Sequence, residues 1–281
     1  MERAASTLIG ARSGDVMSRE MNRSANDLFE GRLHAPLAHR IGVFVYGVVS
    51  YAITLVIFVY AFGFIGSIGT PTSLDRLPTE GSPRWPTALA INLAVLFVFA
   101  VQHSVMARPW FKAIWTRIIP EPAERSTYVL FSNIAMILLF ALWQPMGGVI
   151  WNTDSPGARA VLLVIYSLGW GLVLLATFVL NHFDLFGVRQ VWLYLRDRPY
   201  THLPFRTPLL YRIVRHPLYV GWLIVFWATP TMTAAHLVFA LVTTIYILLA
   251  IRWEEKDMAT LHGSKYVEYR DKVGKLIPAV K

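Results

Sequence analysis

Residues 217–251, PLYVGWLIVFWATPTMTAAHLVFALVTTIYILLAI, form an apolar tract without a single charged side chain. As one helix its 35 residues would run ~52 Å at ~1.5 Å per residue, far beyond a hydrocarbon layer of ~30 Å. Pro230 lies inside it, flanked by Thr229 and Thr231. Proline removes a backbone donor and clashes with the preceding turn. The tract is therefore expected to be a helical hairpin: a short arm from Pro217 to Thr229, then a return arm.

Upstream of the hairpin, four more apolar runs have spanning length: Ile41–Gly66, Thr87–Met106, Thr127–Trp143 and Ala160–Leu180. The whole chain is 55% hydrophobic and only 15% charged, against roughly 25% charged residues in soluble domains. An all-α, polytopic, multi-pass integral membrane bundle is expected, with four spans plus the C-terminal hairpin.

Basic residues orient it. If the polar, Arg-rich stretch 1–40 is cytoplasmic and the tract is a hairpin, 23 of the 26 Lys and Arg residues fall on the cytoplasmic side, as the positive-inside rule requires. Treating the tract as one span would send the seven basic residues after Ile251 outside. Both termini are thus expected to be cytoplasmic, with residues 1–40 a disordered tail and 41–281 one membrane domain. The formal charge of +9 is explained by these loops, so nucleic acid is not an expected partner. Cysteine is absent, which excludes disulfides, thiolate metal ligands and a cysteine nucleophile.

The embedded polar residues are few: Asn92, Gln102, His103, Asn133 and His236. Interhelical hydrogen bonds are their first expectation. Gln102 and His103, adjacent near the cytoplasmic end of span two, are also placed to line a pocket.

Two clusters converge at the cytoplasmic surface. Arg215-His216-Pro217-x-Tyr219-x-Gly221 turns a basic loop into a helix with proline at its first position, where no backbone donor is needed. Its free amides and positive dipole end suit an anionic group, with Arg215 and His216 as side-chain donors. Gly221 would let a ligand approach the backbone. The same residues also make an ordinary interfacial anchor. The hairpin returns Glu254 and Glu255 to the same depth, where they would accept hydroxyl or ammonium donors of a zwitterionic ligand, or form a juxtamembrane salt bridge. His182 and Asp184 end span four; a histidine beside a carboxylate has the basicity for proton abstraction, and the alternative is that both anchor the loop to Arg189. Val191–Arg196 reads as a short surface helix roofing the site.

Together, Arg215-His216-Pro217-x-Tyr219-x-Gly221, Glu254-Glu255, Gly263-x-x-Tyr266-x-x-Tyr269 and Leu276-Ile-Pro278 resemble the C-terminal module of isoprenylcysteine carboxyl methyltransferases, over about 205–281. Gln102-His103-Ser104, Glu124-Arg125-Ser-Thr-Tyr128 and Asn181-His182-Phe183-Asp184-Leu-Phe186-Gly187-x-Arg189-Gln190 resemble the NnrU-related branch, and within it the bacterial methanethiol S-methyltransferase family. That resemblance implies S-adenosyl-L-methionine as methyl donor, no metal, and methanethiol, a small volatile thiol, as acceptor, giving dimethyl sulfide.

By the same resemblance Arg215, His216, Pro217, Tyr219, Gly221, Glu254 and Glu255 surround the donor and Tyr266 and Tyr269 cover it. His103 is a second candidate base after His182 and Asp184, and Tyr128 lines the acceptor pocket. Alternatives are a larger lipophilic acceptor of the isoprenylcysteine type, or a non-catalytic NnrU-like membrane protein. The absence of Asp, Glu, Lys and Arg within the spans argues against an ion-coupled transporter.

Overall fold

A computed structural model describes residues 35–201 and 207–278. The tail expected over 1–40 lies outside the described residues up to position 34, while Leu37–Arg40 are already helical. Residues 205, 206 and 279–281 of the C-terminal module are likewise outside.

Among the described residues, five helices are long and apolar enough to cross a bilayer. They are α1 (Leu37–Gly66), α2 (Trp85–Met106), α4 (Glu124–Leu142), α5 (Pro156–Leu180) and α9 (Ala234–His262). Between them lie three short helices, α3 (Pro109–Trp115), α6 (His182–Leu185) and α7 (Val188–Leu195). The hairpin's first arm is α8 (Pro217–Trp227), and α10 (Ser264–Lys272) follows the last long helix. Prolines start α3, α5 and α8, where a missing N–H costs nothing.

The break in the 217–251 tract is real, and it is pinned in a way the all-α reading did not include. Residues 231–233 form a strand, β2 (Thr231–Thr233), antiparallel to β1 (Val149–Asn152) just before α5. Thr153 N–H donates to the Pro230 carbonyl at 3.0 Å. Backbone groups freed where the helix stops are thereby satisfied, as buried ones must be. The arm α8 has 11 residues, or ~16 Å of helix, so it runs only half a bilayer before extended chain takes over.

It makes its closest approach to α5. A Cβ on Gly221 would lie 2.9 Å from the Val173 backbone nitrogen and 3.0 Å from the Gly169 carbonyl oxygen, and one on Gly169 would meet Ile224 at 2.8 Å. Glycine on both helices lets the backbones touch, the usual device where lipid removes the hydrophobic drive between helices. Gly221 thus faces a neighbouring helix, not an open ligand surface.

Around this pair the core is aromatic: Phe64, Phe140, Trp143, Phe226 and Phe239 are buried together. The outer face carries exposed Val56, Val59, Phe97, Val161, Leu168 and Ile245, an apolar coat suited to lipid. Four of the expected embedded polar residues do bridge elements, His103 of α2 by bonding Ser132 and Tyr128 of α4. Asn92 exchanges two 2.8 Å bonds with the backbone of Gln144, and Asn133 donates to Thr54 Oγ1 at 2.9 Å. His236 Nδ1 lies 2.9 Å from Asp75 Oδ2. Gln102 donates within its own helix, to Met106 Sδ at 3.3 Å.

Two ends of the bundle differ in character. One holds the Asp75–His236 pair and the β1–β2 sheet. The other gathers the ion pairs Arg40–Asp197, Arg108–Asp257, Arg189–Asp184 and Arg215–Glu255.

Candidate active site

At this charged end, residues 214–216 leave the loop as an extended segment and meet the chain's C-terminal stretch. Arg215 N–H donates to the Gly274 carbonyl at 2.8 Å and His216 N–H to the Lys275 carbonyl at 3.2 Å. Val214 and Gly274 form a parallel bridge. The C-terminal segment is therefore fastened against the start of α8, and Leu276 reaches back to the core.

The Arg215 guanidinium organises the cluster. Its Nε donates to Glu255 Oε1 at 2.9 Å, and its Nη1 reaches the Arg270 carbonyl at 2.7 Å and the Val273 carbonyl. His216 Nε2 lies 3.1 Å from the same Glu255 oxygen. The fork geometry of guanidinium permits this combination, where a lysine would reach fewer acceptors. Glu254, one residue earlier, behaves differently: half exposed, it accepts, among the described residues, the Tyr219 hydroxyl at 3.0 Å. His216 Nδ1 is 3.9 Å from it.

Arg215 and Glu255 are thus largely spent on each other and on the backbone, whereas Glu254 keeps lone pairs to offer. Beside them an open groove of about 510 Å³ is lined by Arg252, Glu255, Lys256, Ala259, Thr260 and Arg270.

The C-terminal phenols close one side. Tyr266 is buried at 3% exposure and packs against Tyr269 with ring centroids 6.0 Å apart. The Tyr269 hydroxyl donates to the Tyr211 carbonyl at 2.6 Å. Burial pushes the phenols of Tyr266 and Tyr269 up to about 12, so both stay protonated donors. Pro217 is the buried first residue of α8.

The structure does not join His182 to Asp184. Asp184 instead accepts from Arg189 at 3.0 Å and from the Tyr200 hydroxyl at 3.2 Å, so the anchoring alternative describes it. His182, 5% exposed, stacks on Phe178 at 4.2 Å. Its Nε2 lies 2.7 Å from the Tyr51 hydroxyl and its Nδ1 2.8 Å from Thr177 Oγ1. Burial lowers its pKa, which leaves a neutral ring at neutral pH.

His103 has a similar setting. Its ring lies 5.3 Å from and nearly parallel to Phe99, 2.8 Å by Nε2 from the Tyr128 hydroxyl and 3.2 Å by Nδ1 from Ser132 Oγ. The Arg125 guanidinium sits 4.8 Å over the Tyr128 ring, held there by its Nε donating to the Leu185 carbonyl. Next to these, Ser104 Oγ meets the Tyr246 hydroxyl at 3.0 Å.

Helix α7 forms as expected over most of Val191–Arg196, but it packs on α1 rather than over the donor cluster: Val191 is fully buried against Gly47. Tyr51, Arg125 and the Arg108–Asp257 bridge were not among the expected site residues. No spacing rule points to them, because each meets its partner only after distant helices pack. Among the described residues no group of His, Asp and Glu is placed to hold a metal.

Comparison with known proteins gives a consistent picture. The chain is 56% identical over 238 residues to a protein named methanethiol S-methyltransferase from Crocosphaera subtropica, covering 85% of this chain and 92% of that one. It is 47% identical over 234 residues to another of that name from Mycobacterium tuberculosis, covering 83% and 95%. A more distant relative is Nurim of Xenopus laevis, 28% identical over 189 residues, covering 62% of this chain and 64% of that one. No family model and no solved structure matches the chain.

Proposed function

The chain belongs to the methanethiol S-methyltransferase family, and we propose that it transfers a methyl group from S-adenosyl-L-methionine to methanethiol, releasing dimethyl sulfide. The observation that carries the donor half is the half-exposed Glu254, bonded to Tyr219, beside His216, which the Arg215–Glu255 pair holds. A zwitterionic nucleoside with vicinal hydroxyls fits that set. The carboxylate accepts hydroxyls, and the first-turn amides of α8 behind Pro217 offer donors to a carboxylate.

When bound, the donor supplies a methyl group already activated by a sulfonium. The protein's work is alignment and exclusion of water, and in-line transfer gains most of its rate from such positioning. Arg215 and Glu255 act as the frame, and Tyr266 and Tyr269 shield the cluster from the C-terminal side. Gly221 contributes by allowing α8 to lie on α5. A histidine is the final store of the proton that the thiol gives up; His103 and His182 both have a ring nitrogen facing a phenol, while Asp184 serves the loop through Arg189.

In this reading the chain is a single membrane domain crossing six times, α8 being the short crossing, with the charged end and the site at the cytoplasmic face of a bacterial inner membrane. A volatile apolar thiol reaches such a site by partitioning through the bilayer.

The test is transfer from methyl-labelled S-adenosyl-L-methionine by protein purified into nanodiscs, offered methanethiol or an isoprenylcysteine analogue. Label appearing in the headspace with methanethiol supports the reading. Label retained on the lipophilic acceptor alone refutes it.

A further inference from the structure

Two hydrogen-bonded chains of the same design flank one small apolar cluster, and their proton positions follow from the donor inventory. The Ser132 hydroxyl spends its only proton on the Tyr128 carbonyl at 3.0 Å. Its oxygen must then accept Nδ1–H of His103, leaving the Nε2 lone pair for the Tyr128 hydroxyl at 2.8 Å. That hydroxyl also lies 3.0 Å from Nδ1, which is already occupied. Likewise the Thr177 hydroxyl donates to the Leu174 carbonyl at 2.7 Å, accepts Nδ1–H of His182, and leaves Nε2 for Tyr51. Each phenol therefore points its proton at an imidazole lone pair, ready to accept one from elsewhere as it gives its own away. Between the two chains sit Met106, Val129 and Phe186, clustered with Tyr128 and bordered by Tyr51 and Phe58.

The surroundings separate the twins. Tyr51–His182 is boxed by Phe178, Phe183 and Phe186, and its histidine is held neutral by burial alone. Around Tyr128, by contrast, the Arg125 guanidinium lies 4.8 Å over the ring, and its partner His103 stacks on Phe99, whose ring meets that of Tyr246 on α9. The adjacent Ser104 bonds the Tyr246 hydroxyl at 3.0 Å, and Glu254 lies further along the same helix. Tyr128 thus belongs to the relay packed against the helix that carries the donor carboxylate.

We propose that Tyr128 is the catalytic residue that contacts the acceptor thiol, passing its proton to His103 under the Arg125 guanidinium, with Ser132 fixing the His103 tautomer. This rests on the reading of the site as a thiol methyltransferase. In the step, the thiol S–H proton moves to Tyr128 Oη as the phenolic proton moves to His103 Nε2. The sulfur lone pair forms the new C–S bond, and the electrons of the broken C–S⁺ bond return to the donor's sulfur. Arg125 offsets the negative charge that Tyr128 carries in transit. Met106 and Phe186 give the thiol's methyl group an apolar seat.

The experiment compares wild type, Tyr128→Phe, His103→Asn and Tyr51→Phe in nanodiscs, with methanethiol and with hydrosulfide, which is largely ionised near neutral pH. Donor affinity is measured by titration calorimetry, so a folding defect is seen separately. Tyr128→Phe and His103→Asn should bind donor normally yet lose about 100-fold in kcat with methanethiol at neutral pH. Their kcat should recover as rising pH ionises the thiol, and should stay near wild type with hydrosulfide.

A loss that is flat with pH and equal for both acceptors overturns the relay, as does the pH-rescued loss appearing in Tyr51→Phe instead. Failure of the wild type to methylate either acceptor removes the underlying function, a different result from a wild type that is active beside indifferent variants.

Discussion

Arg215→Ala should release the C-terminal segment without unfolding the bundle. The Arg215 and Glu255 side chains are only 10% and 14% exposed, so the pair counts as mostly buried. Removing one partner of such a pair costs about 3–5 kcal/mol, because the other charge is left uncompensated. Here the loss is concentrated: besides Glu255, the guanidinium holds the carbonyls of Arg270 and Val273 at the end of α10. The remaining attachments are the backbone bonds of Arg215 and His216 to Gly274 and Lys275, Tyr269 to the Tyr211 carbonyl, and Leu276 against the core.

At about 1.4 kcal/mol per decade, local opening should become roughly 100- to 4,000-fold more frequent. The assay is native-state hydrogen exchange in nanodiscs. The amides of positions 215, 216 and 264–273 should speed up by that factor, while those in the centres of α1 and α5 stay unchanged. Donor affinity should fall with them, since Glu254 and His216 lose their frame. Unchanged exchange at 215 and 216 would refute the idea that Arg215 fastens this segment.

Gly221→Ala should lower the thermal midpoint, at an overpacking cost of about 1–3 kcal/mol, because its Cβ would press on the Val173 nitrogen and Gly169 carbonyl of α5. Gly171→Ala, with nothing within 4 Å of its Cβ, is the control and should be silent. Asp75→Ala strips the buried partner of His236 and the acceptor of the Thr233 amide. It should cost about 3–5 kcal/mol in differential scanning fluorimetry yet leave donor affinity of the folded protein intact, since it lies at the other end. Because burial depresses the His182 pKa, the unfolded chain binds more protons than the folded one as pH falls through about 6.5. Thermal stability should decline from there until it levels off below the folded value, and His182→Gln should flatten that decline.

The hairpin was legible because a charge-free stretch longer than a bilayer with proline inside has few ways to be satisfied. The helix ends followed from the apolar runs to within a few residues, α4 for instance beginning at Glu124 rather than Thr127, except that α9 continues past Ile251 to His262. The β1–β2 sheet was not legible. Thr231–Thr233 becomes a strand only because Val149–Asn152, far away in sequence, presents an edge to it.

In the site, Arg215, His216, Tyr219, Glu254 and Glu255 come together as the motif spacing suggested, since a hairpin must return to its own side. The role of Gly221 was misread because the absence of a side chain does not say whether ligand or helix fills the gap. His182 and Asp184 lie two positions apart, but a single helical turn sends them in different directions, one to Tyr51 and the other to Arg189.

The central claim is a donor site that serves a volatile thiol. It is tested most directly by headspace gas chromatography of cells expressing the chain and fed methanethiol, beside cells expressing a His216→Ala, Glu254→Ala double variant at equal membrane levels. Dimethyl sulfide from the wild type, and none above background from the variant, is the predicted result. No dimethyl sulfide from well-inserted wild type, or equal amounts from both, would contradict the account.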